Sequence, residues 1–184
     1  MVTALTRQRD TTAGKLAARF AMSGLLALVG SLFIAAHASA QDIGLPVGAT
    51  PDAAVVEDLD GNAVDLGRIV GTKPALLEFW ATWCPLCEEL EPQMRTIAQR
   101  YGTDIEVLVI AVGVNQNPRS IRRHLQRHEV PGRILFDARG AATRAYRAPT
   151  TSYVVLLDRN GKVAYTGQGS DQDLLKAVQQ VLRR

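Results

Sequence analysis

Cys84 and Cys87 are the two cysteines of this 184-residue chain, and they stand together in Trp83-Cys84-Pro85-Leu86-Cys87. The pair sits where an apolar run, Ala75–Trp80, hands over to a segment of helix-forming composition. A thiol at a helix N-terminus meets unpaired amides and the positive end of the helix dipole, both of which stabilise its thiolate. Cys84 is therefore expected to be an exposed nucleophile that attacks a disulfide and forms a mixed disulfide. Cys87, one turn further on and more buried, is expected to resolve that intermediate. A purely structural bridge is the competing reading, but closing a ring of about four residues contributes only roughly 2 kcal/mol, less than half the value for a loop of about 100 residues. Two reduced core thiols fit poorly with the polar, helix-initiating neighbours. Two cysteines are too few for a disulfide-dense scaffold, and alone they cannot close a four-ligand zinc site.

The elements that must position this pair follow from periodicity and turn residues. Residues 41–52 (QDIGLPVGATPD) read as an extended lead-in, and 53–184 as a single domain. Ala53–Glu57 and Ala63–Leu66 flank Asp58-Leu59-Asp60-Gly61 as a small hairpin. Ala75–Trp80 and the almost wholly apolar Ile105–Val112 read as strands buried on both faces. Between them Cys84–Tyr101 carries Leu90, Met94, Ile97 and Ala98 at helical spacing. A helix from Asn117 through Glu129, a strand Arg133–Phe136 and a helix Ala138–Tyr146 follow. Strands Ser152–Leu157 and Lys162–Thr166 meet at an Asn160-Gly161 hairpin, and Asp171–Leu182 closes the chain as an amphipathic helix. That order predicts an α/β fold, a three-layer α/β/α sandwich around a mixed central sheet with an N-terminal β-hairpin extension.

Residues 1–40 have another character. Arg7, Arg9, Lys15 and Arg19 precede an apolar stretch, Phe20–Ala36, and then Ala38-Ser39-Ala40. A basic region, an apolar region and a small-x-small site together predict an export signal cleaved before Gln41; the alternative is an uncleaved N-terminal membrane anchor. The whole chain has 21 Lys+Arg against 18 Asp+Glu, a formal charge of +3. Removing residues 1–40 takes away four basic residues and one acidic, which leaves 17 of each and a net charge of zero. Nucleic acid is therefore not an expected partner. The location implied is extracytoplasmic, periplasmic in a bacterium, with tethering as the alternative.

The run Glu78-Phe79-Trp80-Ala81-Thr82-Trp83-Cys84-Pro85-Leu86-Cys87, with Pro92 beyond it and Pro149-Thr150-Thr151 later, resembles the thioredoxin superfamily, and more closely its exported TlpA/ResA-like branch. The resemblance spans roughly residues 45–183. It implies a thioredoxin-like fold and thiol–disulfide exchange carried by the Cys84–Cys87 redox-active disulfide, with no cofactor and no metal. Pro149 matches the family's cis-proline, which leaves the backbone of Ala148 free to pair with an extended substrate segment. Trp83 is implied to line the substrate surface beside Pro85, and Trp80 to belong to the core. Pro92 is implied to be structural. In the thioredoxin pattern an acid at the position of Glu78 sits behind the second cysteine, so Glu78, with a raised pKa, is expected to accept the Cys87 proton; the alternative is a solvated or edge-facing Glu. The Pro85-Leu86 pair replaces the Gly-Pro of thioredoxin, so reducing strength does not carry over. Thr150 stands where members that serve cytochrome c maturation often have an acid.

Together the cysteine pair and the resemblance imply an exported thiol–disulfide oxidoreductase, a reductase rather than an oxidase, that acts on disulfide- or dithiol-containing proteins and exchanges electrons with a membrane redox partner. The rival is a metallochaperone binding Cu(I) through the same two thiols. His124 and His128 stand at i, i+4, but 36 residues separate them from Cys87 and arginines interleave them, which reads as a solvated helix face. Residues 119–147 hold eight arginines against Glu129 and Asp137, whereas 41–118 hold twelve acidic residues against four basic. A solvated surface accounts for the polarity; an acidic docking partner is the alternative.

Overall fold

The computed structural model describes residues 44–183. The expected export signal or anchor at 1–40 lies outside the described residues. Seven strands form one mixed sheet in the order β2-β1-β5-β4-β3-β6-β7. They are β1 (Val55–Glu57), β2 (Ala63–Asp65), β3 (Ala75–Trp80), β4 (Glu106–Val112), β5 (Arg133–Asp137), β6 (Tyr153–Leu157) and β7 (Val163–Gln168). The helices are α1 (Leu66–Ile69), α2 (Pro85–Tyr101), α3 (Pro118–Leu125), α4 (Ala141–Ala145) and α5 (Leu174–Leu182). β3 runs parallel to β4 and antiparallel to β6, with Glu78 opposite Val109 on one side and Val154 on the other. The site-bearing strand is thus central, and all six of its residues are buried.

Alternation along β3 sends Leu76, Glu78 and Trp80 to one face and Ala75, Leu77 and Phe79 to the other. On the first face, Leu76, Val154 and Leu156 pack with Leu90, Met94 and Ile97 of α2 and with Leu174 and Val178 of α5. On the second, Leu77 and Phe79 pack with Leu66 of α1 and with Ala142 and Ala145 of α4. Covering both faces explains why β3, β4 and β6 are apolar almost throughout rather than alternating. Gln93 joins the two helices of the first layer: its Nε2 donates to Gln172 O (2.7 Å) and its Oε1 accepts from Leu174 N (3.0 Å) at the start of α5.

The expected elements are present, with shifts at their ends. The first hairpin strand starts at Val55 rather than Ala53, and the second ends at Asp65 rather than Leu66 because Asp65 caps α1, a one-turn helix the periodicity did not predict; its side chain accepts from Gly67 N at 2.9 Å. The third helix stops at Leu125 rather than Glu129. The approach to Pro131 requires extended backbone, and Arg122, Arg123 and His124 in the last turn suit the negative end of the helix dipole. The fourth begins at Ala141 rather than Ala138, because Asp137 caps it from the strand end and Gly140 turns the chain at φ 68°. The last begins at Leu174, after its N-cap Asp173.

The lead-in is docked on the sheet. Gly48 N donates to Val163 O (2.7 Å), Val163 N to Ala49 O (2.8 Å), and Leu45 N to the hydroxyl of Tyr153 (3.3 Å). Gly44 makes this approach with φ +89°, and a Cβ there would fall 1.8 Å from Tyr153 Oη. Gly44→Ala is therefore expected to lower stability by about 1–3 kcal/mol through backbone strain and displacement of Tyr153. Urea denaturation of the two proteins checks this, with m-values that match.

Candidate active site

β3 ends at Trp80, and the chain turns through Ala81–Trp83 so that Cys84 becomes the N-cap of α2. Pro85 follows at the first helical position, where a missing amide costs nothing and a fixed φ favours helix entry. The cap ligand is sulfur: Cys87 N donates to Cys84 Sγ at 3.2 Å. Cys84 and Cys87 form a disulfide with Cα atoms 5.3 Å apart. Cys84 is not the exposed residue the sequence suggested. It is 3% exposed and Cys87 0%. The capping geometry turns the sulfur inward over the first turn, and the surface at the pair is apolar side chain instead, with Trp83 47% and Leu86 41% exposed. Trp83 is held flat by its indole Nε1, which donates to Val114 O (3.0 Å). Trp80, as expected, is core.

Glu78 lies in the centre of the sheet on the α2 side, 2% exposed, and its Oε1 has no hydrogen-bond partner among the described residues. The edge-facing alternative is thereby removed. Desolvation, reinforced by the charge of Glu91, pushes its pKa from the ordinary 4.5 up to about 8. Glu91, whose charge acts on Glu78, stands one helical turn beyond Cys87 on α2. At neutral pH Glu78 is a protonated acid poised near the pH of proton exchange.

The loop over Pro149 departs from the resemblance. No cis peptide bond occurs among the described residues, so Ala148–Pro149 is trans. Nor is the Ala148 amide free: it donates to Thr143 O (2.9 Å), and Arg147 N donates to Arg144 O (3.1 Å). With Arg147 at φ 49°, these two bonds are the Schellman closure of α4, a motif that proline commonly follows. The helix end therefore consumes the donor that strand pairing would use. Beyond it, Ser152 N donates to Phe79 O (2.8 Å), which ties the loop to β3.

Trp83, Val112, Val114, Ala148, Pro149 and Thr150 wall a groove of about 400 Å³. Gln116 holds the groove's inner side together. Its Oε1 accepts from Thr82 N (3.0 Å), and its Nε2 donates to Val112 O (2.7 Å) and Trp80 O (3.3 Å). This buried amide joins the ends of β3 and β4 to the cysteine loop, and the sequence reading missed it. The one signal was a lone amide in the polar stretch just past an apolar strand. His124 and His128 are not a simply solvated face either. Their rings stack at 4.3 Å, and His124 meets the Trp80 indole at 5.3 Å, which ties α3 to the sheet. No cluster of three or more His, Cys, Asp or Glu suited to a metal ion occurs among the described residues.

The redoxin family model matches residues 46–182. Thiol-disulfide oxidoreductase ResA of Geobacillus thermodenitrificans is 28% identical over 85% of this chain and 91% of its own length. Methylamine utilization protein MauD of Methylophilus methylotrophus is 29% identical over 77% of this chain and 65% of its own length. Among solved structures, a Chlorobium tepidum protein assigned to the DsbE thiol:disulfide interchange proteins superposes with a TM-score of 0.66 at 24% identity, covering 75% of this chain and 99% of that one. This likeness shows a thioredoxin-like fold.

The buried acid has a measurable consequence for stability. A carboxyl whose folded pKa is raised binds more protons when folded than unfolded between the two pKa values, so stability falls as pH rises from about 4.5 to about 8 and then levels off. Glu78→Gln mimics the protonated form. The oxidised variant is expected to match the parent near pH 4.5 and to exceed it by several kcal/mol above pH 8. Chemical denaturation across that range is the check, and parallel curves for the two proteins contradict the burial of a neutral acid.

Proposed function

The chain belongs to the redoxin family and is a thiol–disulfide oxidoreductase, and from that premise we propose that it is exported and reduces disulfides in proteins. The export reading rests on the basic and apolar pattern of residues 1–40. In an oxidising compartment a reductant must be recharged, so a membrane-embedded thiol donor of electrons is part of the reading.

The reducing direction is supported by the charges around the dithiol. One amide, Cys87 N–H, reaches Cys84 Sγ, while α2 carries Glu88 in its first turn and Glu91 in the next. Carboxylates beside a thiolate raise its free energy, and a destabilised thiolate favours the disulfide form, which is the property of an electron donor. Equilibration of Cys84–Cys87 with glutathione or dithiothreitol buffers is expected to give a potential close to the thioredoxin value of roughly −270 mV. A potential near −120 mV marks an oxidant and reverses the direction.

The exchange runs in two displacements. The Cys84 thiolate attacks one sulfur of the substrate disulfide; a Cys84–substrate disulfide forms, and the other substrate sulfur leaves as thiolate and takes a proton. Cys87 then loses its proton to the Glu78 carboxylate and attacks Cys84 Sγ; the Cys84–Cys87 bond forms, and the second substrate thiolate leaves. Two electrons pass from the dithiol to the substrate, and no other redox group is needed. A substrate segment lies in the groove beside Trp83 and Pro149, with its N–H donating to the Ala148 carbonyl. Because Glu78 titrates near pH 8, resolution in the parent is expected to accelerate through that pH, as the carboxylate able to take the proton becomes populated. Glu78→Gln is expected to slow resolution of a preformed Cys84 mixed disulfide about 100-fold and to remove the pH 8 inflection. Rapid-quench analysis of the mixed disulfide measures both, and equal rates from pH 6 to 9 exclude Glu78 as the acceptor.

A further inference from the structure

The α4 side of the groove carries charge that the exchange chemistry does not use. Arg139 lines the groove together with Asp137 and Thr143. Asp137 contributes no free acceptor. Its carboxylate is fully buried, accepting from Ala142 N (3.2 Å), Thr143 N (2.8 Å) and Thr143 Oγ1 (2.8 Å), so its charge is spent on the start of α4. Arg144 reinforces the opposite sign, because its guanidinium donates to Arg139 O at 2.9 Å and is fixed beside it. Arg147 sits one residue before Ala148 in the helix closure. Among the described residues none of these three arginines has a carboxylate within ion-pair distance, and all three are exposed.

The rest of the groove wall carries no charged side chain, with Trp83, Val112 and Val114 on one side and Pro149, Thr150 and Thr151 on the other, and the acidic first turns of α2 cover the opposite sheet face from α4. A segment lying across Trp83 and Ala148 thus meets, at Arg139, an exposed guanidinium that has no ion-pair partner among the described residues. A carboxylate there gains a guanidinium partner, and an ammonium meets repulsion. We propose that the groove selects protein disulfides whose reactive cysteine is flanked by acidic residues, with Arg139 as the residue that reads the acid. The selection rests on the thiol–disulfide reading and names the substrate class for it. It acts on encounter and positioning, before any bond is exchanged.

Three peptide disulfides test this, identical except for Glu, Gln or Lys two residues to either side of the cysteine. The reduced protein is mixed with each in excess, and released peptide thiol is followed by quenched chromatography. The parent is expected to prefer the Glu over the Lys peptide about tenfold at low ionic strength, with most of that ratio lost at about 0.5 M salt. Arg139→Lys is expected to keep the preference and Arg139→Glu to invert it, a reversal that a purely structural role for Arg139 would not produce. Equal parent rates on all three peptides overturn the selection while leaving the oxidoreductase reading standing. A preference unchanged in Arg139→Glu overturns the assignment to Arg139. Reduction of none of the three overturns the oxidoreductase reading and the selection with it.

Discussion

A sulfur atom serving as a helix cap is the contact on which the rest of this structure depends. For Cys84 to accept from Cys87 N, β3 must end at Trp80 and α2 must begin at Pro85, with the three turn residues Ala81–Trp83 and the cap Cys84 between them. Each of those boundaries is held from elsewhere. Gln116 fixes the turn from the end of β4, and Gln93 and the Leu90–Met94–Ile97 stripe fix the far part of α2 against α5 and the sheet. The amide that satisfies the helix end is the same amide that stabilises a thiolate when the disulfide opens, so folding and reactivity draw on one hydrogen bond.

Around that contact the protein accepts electrostatic cost. A carboxyl whose Oε1 has no hydrogen-bond partner among the described residues, in the middle of a seven-stranded sheet, is destabilising whenever it ionises, and nothing in the packing of β3, β4 and β6 calls for a polar side chain there. Glu91 on the overlying helix adds to the same penalty rather than relieving it. Such an arrangement is coherent for a dithiol that gives up electrons: the field that disfavours thiolate favours the disulfide, and the acid whose pKa is displaced is the one able to take a proton.

Much of this was legible in the linear pattern. The Cys-Pro-Leu-Cys spacing, the two continuous apolar strands, the Asn160-Gly161 hairpin and the Leu174–Leu182 helix are local signals, and local hydrogen bonding or periodicity determines them. Glu78 was visible as one charge inside an apolar run. Element ends were less legible, because Asp65, Asp137 and Asp173 each moved a boundary through a cap that competes with the periodic pattern. Gln116 was not legible: its three partners lie on segments up to 36 residues away, and no local pattern marks an amide that will meet them.

By itself, then, the sequence determined which atoms can do chemistry and the order in which strands and helices present them, since both depend on residue type and short spacing. Tertiary structure alone decided how those atoms are offered. It buried Cys84 under its own helix turn, left Glu78 without a partner, and kept Ala148–Pro149 trans. It also spent the Ala148 amide on the end of α4. The groove itself joins residues from the cysteine loop, the ends of β4 and β5, α4 and the Pro149 loop. Its shape and charge exist only once five separated segments close on one another, and that closure is set by packing across the sheet rather than by any neighbour in the chain.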